Sequence, residues 1–571
     1  MKNRSTLLLA LFLSSLMLKI LIFLVVTEPI LFSKYPIFAE RISKGIDLGE
    51  RILDLSPLYL YLNLLFQKVY GRSWEGLALL QVFLGSLNVL LIYLIGEKVF
   101  NRTVGFMGAL LLILYGNMTL FELTLEPEAL VIFLNSLGVL SLLIAQERIL
   151  SGSSPWGFFL PGILLGLSVI TKPNGLLFLP PAILWIGRTQ IDGFIRMKAS
   201  LFLLLGVFLV VSPITLRNYL NFHDFVLITA DGGKVFYHGN GPGSTGMERA
   251  DLPDQGFREE GMGDPDPAHA LFRQAARSIS GKPLKPSECS GFWFRRTLDF
   301  MSSRPLAAFS LVGKKFFYFW GNYEVHEIDS NYKYDLILRR WPLVPFGVLS
   351  ILGMVGMVLA RKRFRQAFLL YSMVGVYLLS VLIFFAASRY RLPAAPFLAL
   401  FGAFALTSFY TLWKEKRRIA LSALLGISLL LWPLINLPFR NEVQALERWQ
   451  MATRIHYSLG GNFLFQKRQY REAIEEYRKA LALAPDFVPA YNRLGMCHAI
   501  LNELDEAEEN FQKVIELAPN MDQGYLNLGM VYLLKGKPGI AIPLLEKALS
   551  LNPENTRARE QLQNLRSRSP G

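Results

Sequence analysis

Gly76–Glu97, GLALLQVFLGSLNVLLIYLIGE, carries no charged residue before its last position. About 20 mostly apolar residues cross the hydrocarbon core of a bilayer as a helix. One such run fixes a local fold, and the sequence holds eleven candidates, near residues 5–26, 76–97, 103–120, 127–147, 156–171, 174–187, 198–215, 342–360, 367–386, 392–412 and 419–436. The composition agrees: of 571 residues 52% are hydrophobic and 18% charged, against roughly 25% charged in a soluble domain. The expected fold is all-α, a polytopic membrane domain over residues 1–436. A soluble enzyme is excluded.

The net charge of +15 would suggest a nucleic-acid partner in a soluble chain. Here the basic residues sit between apolar runs, so no nucleic-acid partner is expected. Lys2 and Arg4 precede the first run, which ends in Thr27-Glu-Pro29 with no small-residue cleavage site, and it reads as a signal anchor with a cytoplasmic N-terminus. Every second loop is then cytoplasmic, and those loops carry Lys98 and Arg102, Arg148, Arg188 and Arg196, Arg361–Arg365, and Lys414–Arg418, as the positive-inside rule requires. Loops 27–75 and 217–341, and everything after residue 437, are expected on the outer side of the cytoplasmic membrane. Phe38, Ile42, Ile46, Gly49 and Leu53 form a stripe that suits a helix lying in the outer membrane surface. Cys289 and Cys497 are too far apart in sequence to suggest a disulfide framework or thiolate metal site.

Beyond residue 437 the chain turns charged and alanine-rich with a 34-residue period. Gly461, Gly495 and Gly529 repeat at that spacing, as do Ala473, Ala507 and Ala541, Pro485, Pro519 and Pro553, and Tyr457, Tyr491 and Tyr525. Tyr477, Phe511 and Leu545 occupy the packing position of each second helix. Small residues let paired helices approach and proline ends each second helix. The pattern resembles the tetratricopeptide repeat, with three repeats from about 454 to 555 and a capping helix in a domain of residues 437–571. Such arrays bind peptides or proteins, so a protein substrate or assembly partner is expected here.

The ionisable residues of the membrane part gather on the side assigned as outer. Glu28 follows the first run; Glu122, Glu126 and Glu128 lie in Phe121-Glu-Leu-Thr-Leu-Glu-Pro-Glu128; Lys172 lies in Thr171-Lys-Pro-Asn-Gly175; Arg389 and Arg391 lie in Ser388-Arg-Tyr-Arg-Leu-Pro393. Ionisable groups near membrane spans are costly and suggest function. Lys172, Arg389 and Arg391 are candidates to hold a lipid phosphate. Glu28, Glu122 and Glu128 are candidate bases toward an incoming hydroxyl or amine. In the long outer loop, His238, Asn240 and Glu324 are acceptor or lid candidates, and Glu324 with His326 and Glu327 offers possible ligands for a divalent metal; no cofactor is otherwise indicated.

Residues 5–436 resemble the polyprenyl-phosphate-sugar glycosyltransferases of the GT-C fold, which include protein O-mannosyltransferases and the aminoarabinose transferase. The matching pieces are Ser56-Pro-Leu-Tyr59 with Gly71, Leu114-Tyr-Gly116 and the acidic loop behind it, Lys172-Pro-Asn-Gly175, Gly239-Asn-Gly-Pro-Gly243 with Gly246, and Arg389-Tyr-Arg-Leu-Pro393 with Pro396. The resemblance implies inverting transfer from a polyprenyl-phosphate sugar to a protein or an envelope glycan or lipid. It also expects an Asp four residues before Tyr35, where Leu31 stands. Either Glu28 takes that role or the chain is an inactive envelope scaffold acting through its repeats. A transporter of a lipid-linked saccharide is a further reading, supported by Lys19 inside the first run.

Overall fold

The computed structural model describes residues 2–25, 34–71, 74–247, 267–324, 338, 341–436, 445, 448–449, 451–552 and 555–568. The described residues contain helices and no strand, and the chain divides into two compact units that part between residues 439 and 440.

In the first unit, α1 (Lys2–Val25) is followed by two short helices, α2 (Lys34–Ser43) and α3 (Pro57–Tyr70), with a 3-10 turn at Gly49–Asp54 between them. Then come α4 (Trp74–Val99), α5 (Arg102–Ile113), α6 (Gly116–Leu123), α7 (Glu128–Leu150), α8 (Phe159–Thr171), α9 (Leu179–Gly187) and α10 (Gly193–Phe222). The long loop holds α11 (Gly232–Asn240), α12 (Pro267–Ser280), α13 (Pro286–Ser303) and α14 (Pro305–Trp320). The chain finishes this unit with α15 (Phe346–Ala360), α16 (Phe364–Ile383), the single turn α17 (Ser388–Arg391), α18 (Ala395–Lys414) and α19 (Arg418–Asn436).

All eleven apolar runs fall on helices, but they are not equivalent. Seven helical stretches are long and apolar enough to cross a membrane, α5 and α6 form a bent pair with a 58° break, and α8 and α9 with their leading 3-10 turns are shorter apolar pieces. The stretch Phe346–Ile383 is two helices folded back at Arg361–Arg363, because the Tyr371 hydroxyl donates to the Met357 carbonyl at 2.5 Å. In one continuous helix those residues would lie about 21 Å apart. The chain is therefore a multi-pass membrane protein.

The two ends of the helices differ in chemistry. At one end Arg4 and Arg102 pair with Glu97, and Lys98 with Glu147. The starts of α1 and α5 and the finishes of α4 and α7 thus share a side, as alternating spans require. Between the ends, close approach and hydrogen bonds join the helices. A methyl group on Gly162 of α8 would lie 2.2 Å from the Leu203 carbonyl of α10, so only glycine allows that contact. Asn135 of α7 donates to the Tyr377 hydroxyl of α16 at 2.6 Å and accepts from Ser168 of α8 at 2.7 Å.

The surface helix expected near residues 36–55 takes another form. Its stripe is split between α2 and the 3-10 turn, and Tyr35, Phe38, Ala39, Leu55 and Tyr59 are buried together against Leu77 and Leu125. Phe38 and Leu53 face protein, not lipid, and only Ile46 of the stripe is well exposed. Gly45 and Gly49, both at positive φ, break the helix that the pattern by itself would allow.

The second unit stacks α20 (Tyr470–Leu483), α21 (Val488–Ile500), α22 (Leu504–Leu517), α23 (Asp522–Leu534), α24 (Pro538–Leu551) and α25 (Thr556–Arg568), after a π-helical stretch at Met451–Asn462. Each repeat glycine faces the large residue 16 positions later. A methyl group on Gly461 would sit 2.2 Å from the Tyr477 ring, on Gly495 2.7 Å from the Phe511 ring, and on Gly529 3.1 Å from a Leu545 methyl. Tyr477, Phe511 and Leu545 are buried, so the glycine defines how near the paired helices come.

Overpacking a filled seam costs about 1–3 kcal/mol, more than the helix propensity that alanine gains over glycine. Gly461→Ala and Gly495→Ala are expected to lower amide-exchange protection across residues 470–551 of the full-length protein by about that amount. Gly529→Ala, facing a leucine methyl that can rotate away, is expected to stay within about 1 kcal/mol of the parent.

Candidate functional site

At the end opposite Glu97 and Glu147, four helix boundaries converge. Pro127 starts α7 and leaves Glu128 in its first turn. Lys172 caps the finish of α8, its backbone extended because Pro173 follows. Arg389 and Tyr390 lie on the one-turn α17, and Lys34 and Tyr35 open α2. Buried Glu128 pairs with Lys172, whose side chain retains 11% exposure. The Lys172 ammonium also lies 4.7 Å from the centre of the Tyr390 ring, and the Arg389 guanidinium lies 5.0 Å from it. Both cations lie within cation–π range of the same ring, and Arg389 also donates to the Tyr390 hydroxyl at 3.2 Å.

Glu126 completes the cluster. It is 6% exposed, and among the described residues no hydrogen bond or ion pair engages its carboxylate. Burial pushes its carboxyl up to about 7, and the nearby Glu128 charge adds to this, while Arg389, Lys34 and Lys172 pull the other way. A base with a pKa near ambient pH is well matched to proton transfer. Among the described residues, Lys34, Lys172 and Arg389 thus gather around Glu126 and Glu128, and cations so placed suit an anionic ligand. Behind the cluster, Tyr59 donates to Gln81 at 2.5 Å, and the Gln81 amide donates to the Glu122 and Thr124 carbonyls at 2.8 and 2.6 Å, which anchors the backbone leading to Glu126.

The residues singled out from sequence separate into groups. Glu128, Lys172 and Arg389 lie in this cluster. Glu122 does not: it is buried on α6 against the Lys19 ammonium of α1 at 2.7 Å. That pair also accounts for Lys19, the intramembrane charge that had suggested transport, as a fixed contact between two helices. Glu28 lies outside the described residues, as do Leu31, His326 and Glu327.

Arg391 points away from the cluster and is 2% exposed. It donates to the carbonyls of Tyr318, Phe319, Gly321 and Tyr323 at 2.8, 3.2, 2.7 and 2.8 Å and to Glu324 at 2.8 Å, with Phe346 beneath its guanidinium at 3.8 Å. Glu324 also accepts from the Tyr115 hydroxyl at 3.3 Å. Asn240 is buried and committed to Lys315 at 2.6 Å and to the Ile383 carbonyl at 2.8 Å; burial draws the Lys315 ammonium down to about 7. The His238 ring packs 4.8 Å from Phe272. These residues bind the long loop to α16 and α17. Among the described residues no three His, Cys, Asp or Glu side chains converge on a common metal position.

Glu126, Lys34 and Tyr390 enter the site only in three dimensions. Spacing along Glu122, Glu126 and Glu128 does not separate them, because α6 ends at Leu123, Thr124 is extended and helical register is lost between the first carboxylate and the other two.

The family model described as dolichyl-phosphate-mannose-protein mannosyltransferase matches residues 54–216, which include Tyr59, Gln81, Glu126, Glu128 and Lys172. Tetratricopeptide-repeat models match residues 461–499, 488–521 and 522–555. No curated protein matches the chain. Among solved structures, the apo oligosaccharyltransferase of Archaeoglobus fulgidus is 15% identical over 77% of this chain and 55% of that one, with a TM-score of 0.45. The archaeal oligosaccharyltransferase from the same organism, in complex with an inhibitory peptide and a dolichol-phosphate, is 15% identical over 79% and 58%, with a TM-score of 0.42. The chain therefore spans little more than half the length of these enzymes. A tetratricopeptide-repeat protein with an unusual peptide-binding site is 15% identical over 38% of this chain and 92% of that one, at a TM-score of 0.18.

Removing one partner of a buried, hydrogen-bonded ion pair costs about 3–5 kcal/mol. Arg391→Met is expected to destabilise the membrane unit by that order, seen as a lower temperature of detergent-solubilised aggregation, because Glu324 and four carbonyls lose their donor. Arg389→Met, at the half-buried neighbour, is expected to leave that temperature nearly unchanged. The chain thus joins a multi-pass membrane region, matched over residues 54–216 by the dolichyl-phosphate-mannose-protein mannosyltransferase model, to C-terminal tetratricopeptide repeats.

Proposed function

We propose that the protein transfers a sugar from a polyprenyl-phosphate donor to a hydroxyl or amine of a protein or envelope acceptor at the outer face of the cytoplasmic membrane. The observation that carries this is the meeting of Glu126, Glu128, Lys172, Arg389 and Tyr390 at the helix ends opposite the basic loops. The acceptor attacks the anomeric carbon, the bond from that carbon to the phosphate oxygen breaks, and configuration inverts. Glu126 takes the acceptor proton. Lys172 and Arg389 stabilise the negative charge that grows on the departing lipid phosphate, and Glu128 holds Lys172 in place. The repeats, with their partner-binding architecture, present the protein acceptor or an assembly partner outside the membrane. Glu28 retains its place as a candidate base from the first outer loop.

The test uses the full-length protein in lipid with a panel of polyprenyl-phosphate sugars and an envelope extract, scoring released polyprenyl phosphate. Glu126→Gln is expected to reduce release by about 10²- to 10⁴-fold, and Lys172→Met or Arg389→Met by at least tenfold. Undiminished release from all three variants would refute the assignment of the site.

The pH dependence follows from Glu126. The base must be ionised, so release is expected to rise about tenfold per pH unit below about 7 and to level off above it. Stability runs the other way. The folded carboxyl holds its proton up to about 7 and the unfolded one only to about 4.5, so this group's contribution is full below 4.5 and is lost as the pH rises through 7. Rate measurements from pH 5 to 9 on wild type and Glu28→Gln would show whether the acid limb belongs to the Glu126 cluster, since it should persist in the variant.

A further inference from the structure

A second charged region lies on the outer loops, apart from the helix-end cluster. Arg273, Gln274, Arg277 and Ser278 share one face of α12 through their i, i+1, i+4 and i+5 spacing. Gly281, at φ +65°, turns the chain so that Lys282 and Pro283 close the end of that face. Opposite stand Glu50 and Arg51 of the 3-10 turn, and the groove between the two has a volume of about 680 Å³.

The two carboxylates of the groove differ in kind. Asp54 has a side-chain exposure of 6% and pairs with Arg273 from below, fixing that guanidinium. Glu50 has 39% and bridges the arginines at the mouth, 2.7 Å from Arg277 and 3.7 Å from Arg273. Arg277 is further oriented by donating its Nε–H to the Leu284 carbonyl at 2.9 Å. Arg51, 5.7 Å from the centre of the Phe38 ring, and Lys282 bring the cations to four. Gln274 and Ser278 add neutral hydrogen-bonding groups along the rim.

Two guanidinium groups held in place by buried or backbone partners, and bridged by one half-exposed carboxylate, form a phosphate-shaped position whose present occupant can be displaced. We propose that this groove binds a phosphomonoester on a polar headgroup, with the phosphate taking the position of the Glu50 carboxylate between Arg273 and Arg277, and with Gln274 and Ser278 meeting the hydroxyls of the headgroup. Its role as a subsite for a phosphorylated acceptor rests on the transfer reading; its occupancy does not. The 3-10 turn that carries Glu50 packs into the same apolar cluster as Tyr35 and Phe38 of α2, so a ligand here would lie on the turn packed against the helix that presents Lys34.

The experiment measures binding without turnover, so loss of transferase activity and loss of this site are read separately. Full-length protein in phosphatidylcholine nanodiscs is titrated with glucose 6-phosphate, with glucose as control, and in parallel with short-chain phosphatidic acid. Wild type is expected to bind at least one phosphomonoester saturably, and less tightly as salt rises, with no binding of glucose. Arg277→Gln is expected to bind at least tenfold more weakly. Glu50→Gln, which removes the competing carboxylate, is expected to bind several-fold more tightly, an outcome that misfolding cannot imitate. Binding of both probes assigns recognition to the headgroup itself, and binding of phosphatidic acid alone assigns it to a lipid-borne phosphate. Equal affinity in wild type, Arg277→Gln and Glu50→Gln, or no saturable binding of either probe by wild type and Glu50→Gln, overturns the proposal.

Discussion

The pairing of Lys172 with Glu128 beside the Tyr390 ring sets the geometry of the membrane unit at the end opposite Glu97 and Glu147. An unpaired charge at the edge of a hydrocarbon layer is costly, so the finish of α8, the start of α7 and the turn of α17 are drawn to one point. Three segments far apart in the chain share this contact. Once it forms, Glu126 and Arg389 follow, since each is within two residues of a member of the trio. Among the described residues the Glu126 carboxylate has no direct partner, and Arg389, Lys34 and Lys172 act on it through space.

Several other buried polar groups support this arrangement without entering it. Lys19 and Glu122 join α1 to α6, and Gln81 of α4 holds the carbonyls on either side of the break after α6. Asn135, Ser168 and Tyr377 connect α7, α8 and α16 within the unit. Arg391 gathers the end of α14 and Glu324 beneath Tyr115. Each of these named groups has a donor or acceptor from another segment of the unit, as a bilayer without competing water favours. The same reasoning distinguishes Arg389 from Arg391. Residues two apart on a helical turn project about 200° from one another, so one arginine of Ser388-Arg-Tyr-Arg391 faces the cluster while the other is consumed in the protein interior.

The repeat unit rests on different physics. Its stability comes from neighbour-to-neighbour packing, with a glycine on one helix and a large side chain on the next at a constant offset. Tyr477, Phe511 and Leu545 differ in chemistry but fill the same seam. That regularity left the repeats readable from spacing alone, whereas α2 and the 3-10 turn were misleading. Their apolar stripe suggested a helix on the membrane surface, but Gly45 and Gly49 break it and the fold buries its halves against α3 and α4.

What the sequence by itself determined is whatever depends on local or periodic chemistry: apolar runs of membrane length, basic residues on alternate loops, the 34-residue period, and the presence of carboxylates and cations between particular helices. Tertiary structure decided which charge meets which. Lys172 pairs with Glu128 while Lys19 takes Glu122, Arg391 is spent on backbone carbonyls and Glu324, and Glu126 is left among cations with its pKa raised by burial. Charge pairing depends on distance and burial, which vary with the packing of helices remote in sequence and with the breaks that reset their register. Residue type and spacing carry neither quantity, so the groups of the site were legible as an inventory and their roles only as a geometry.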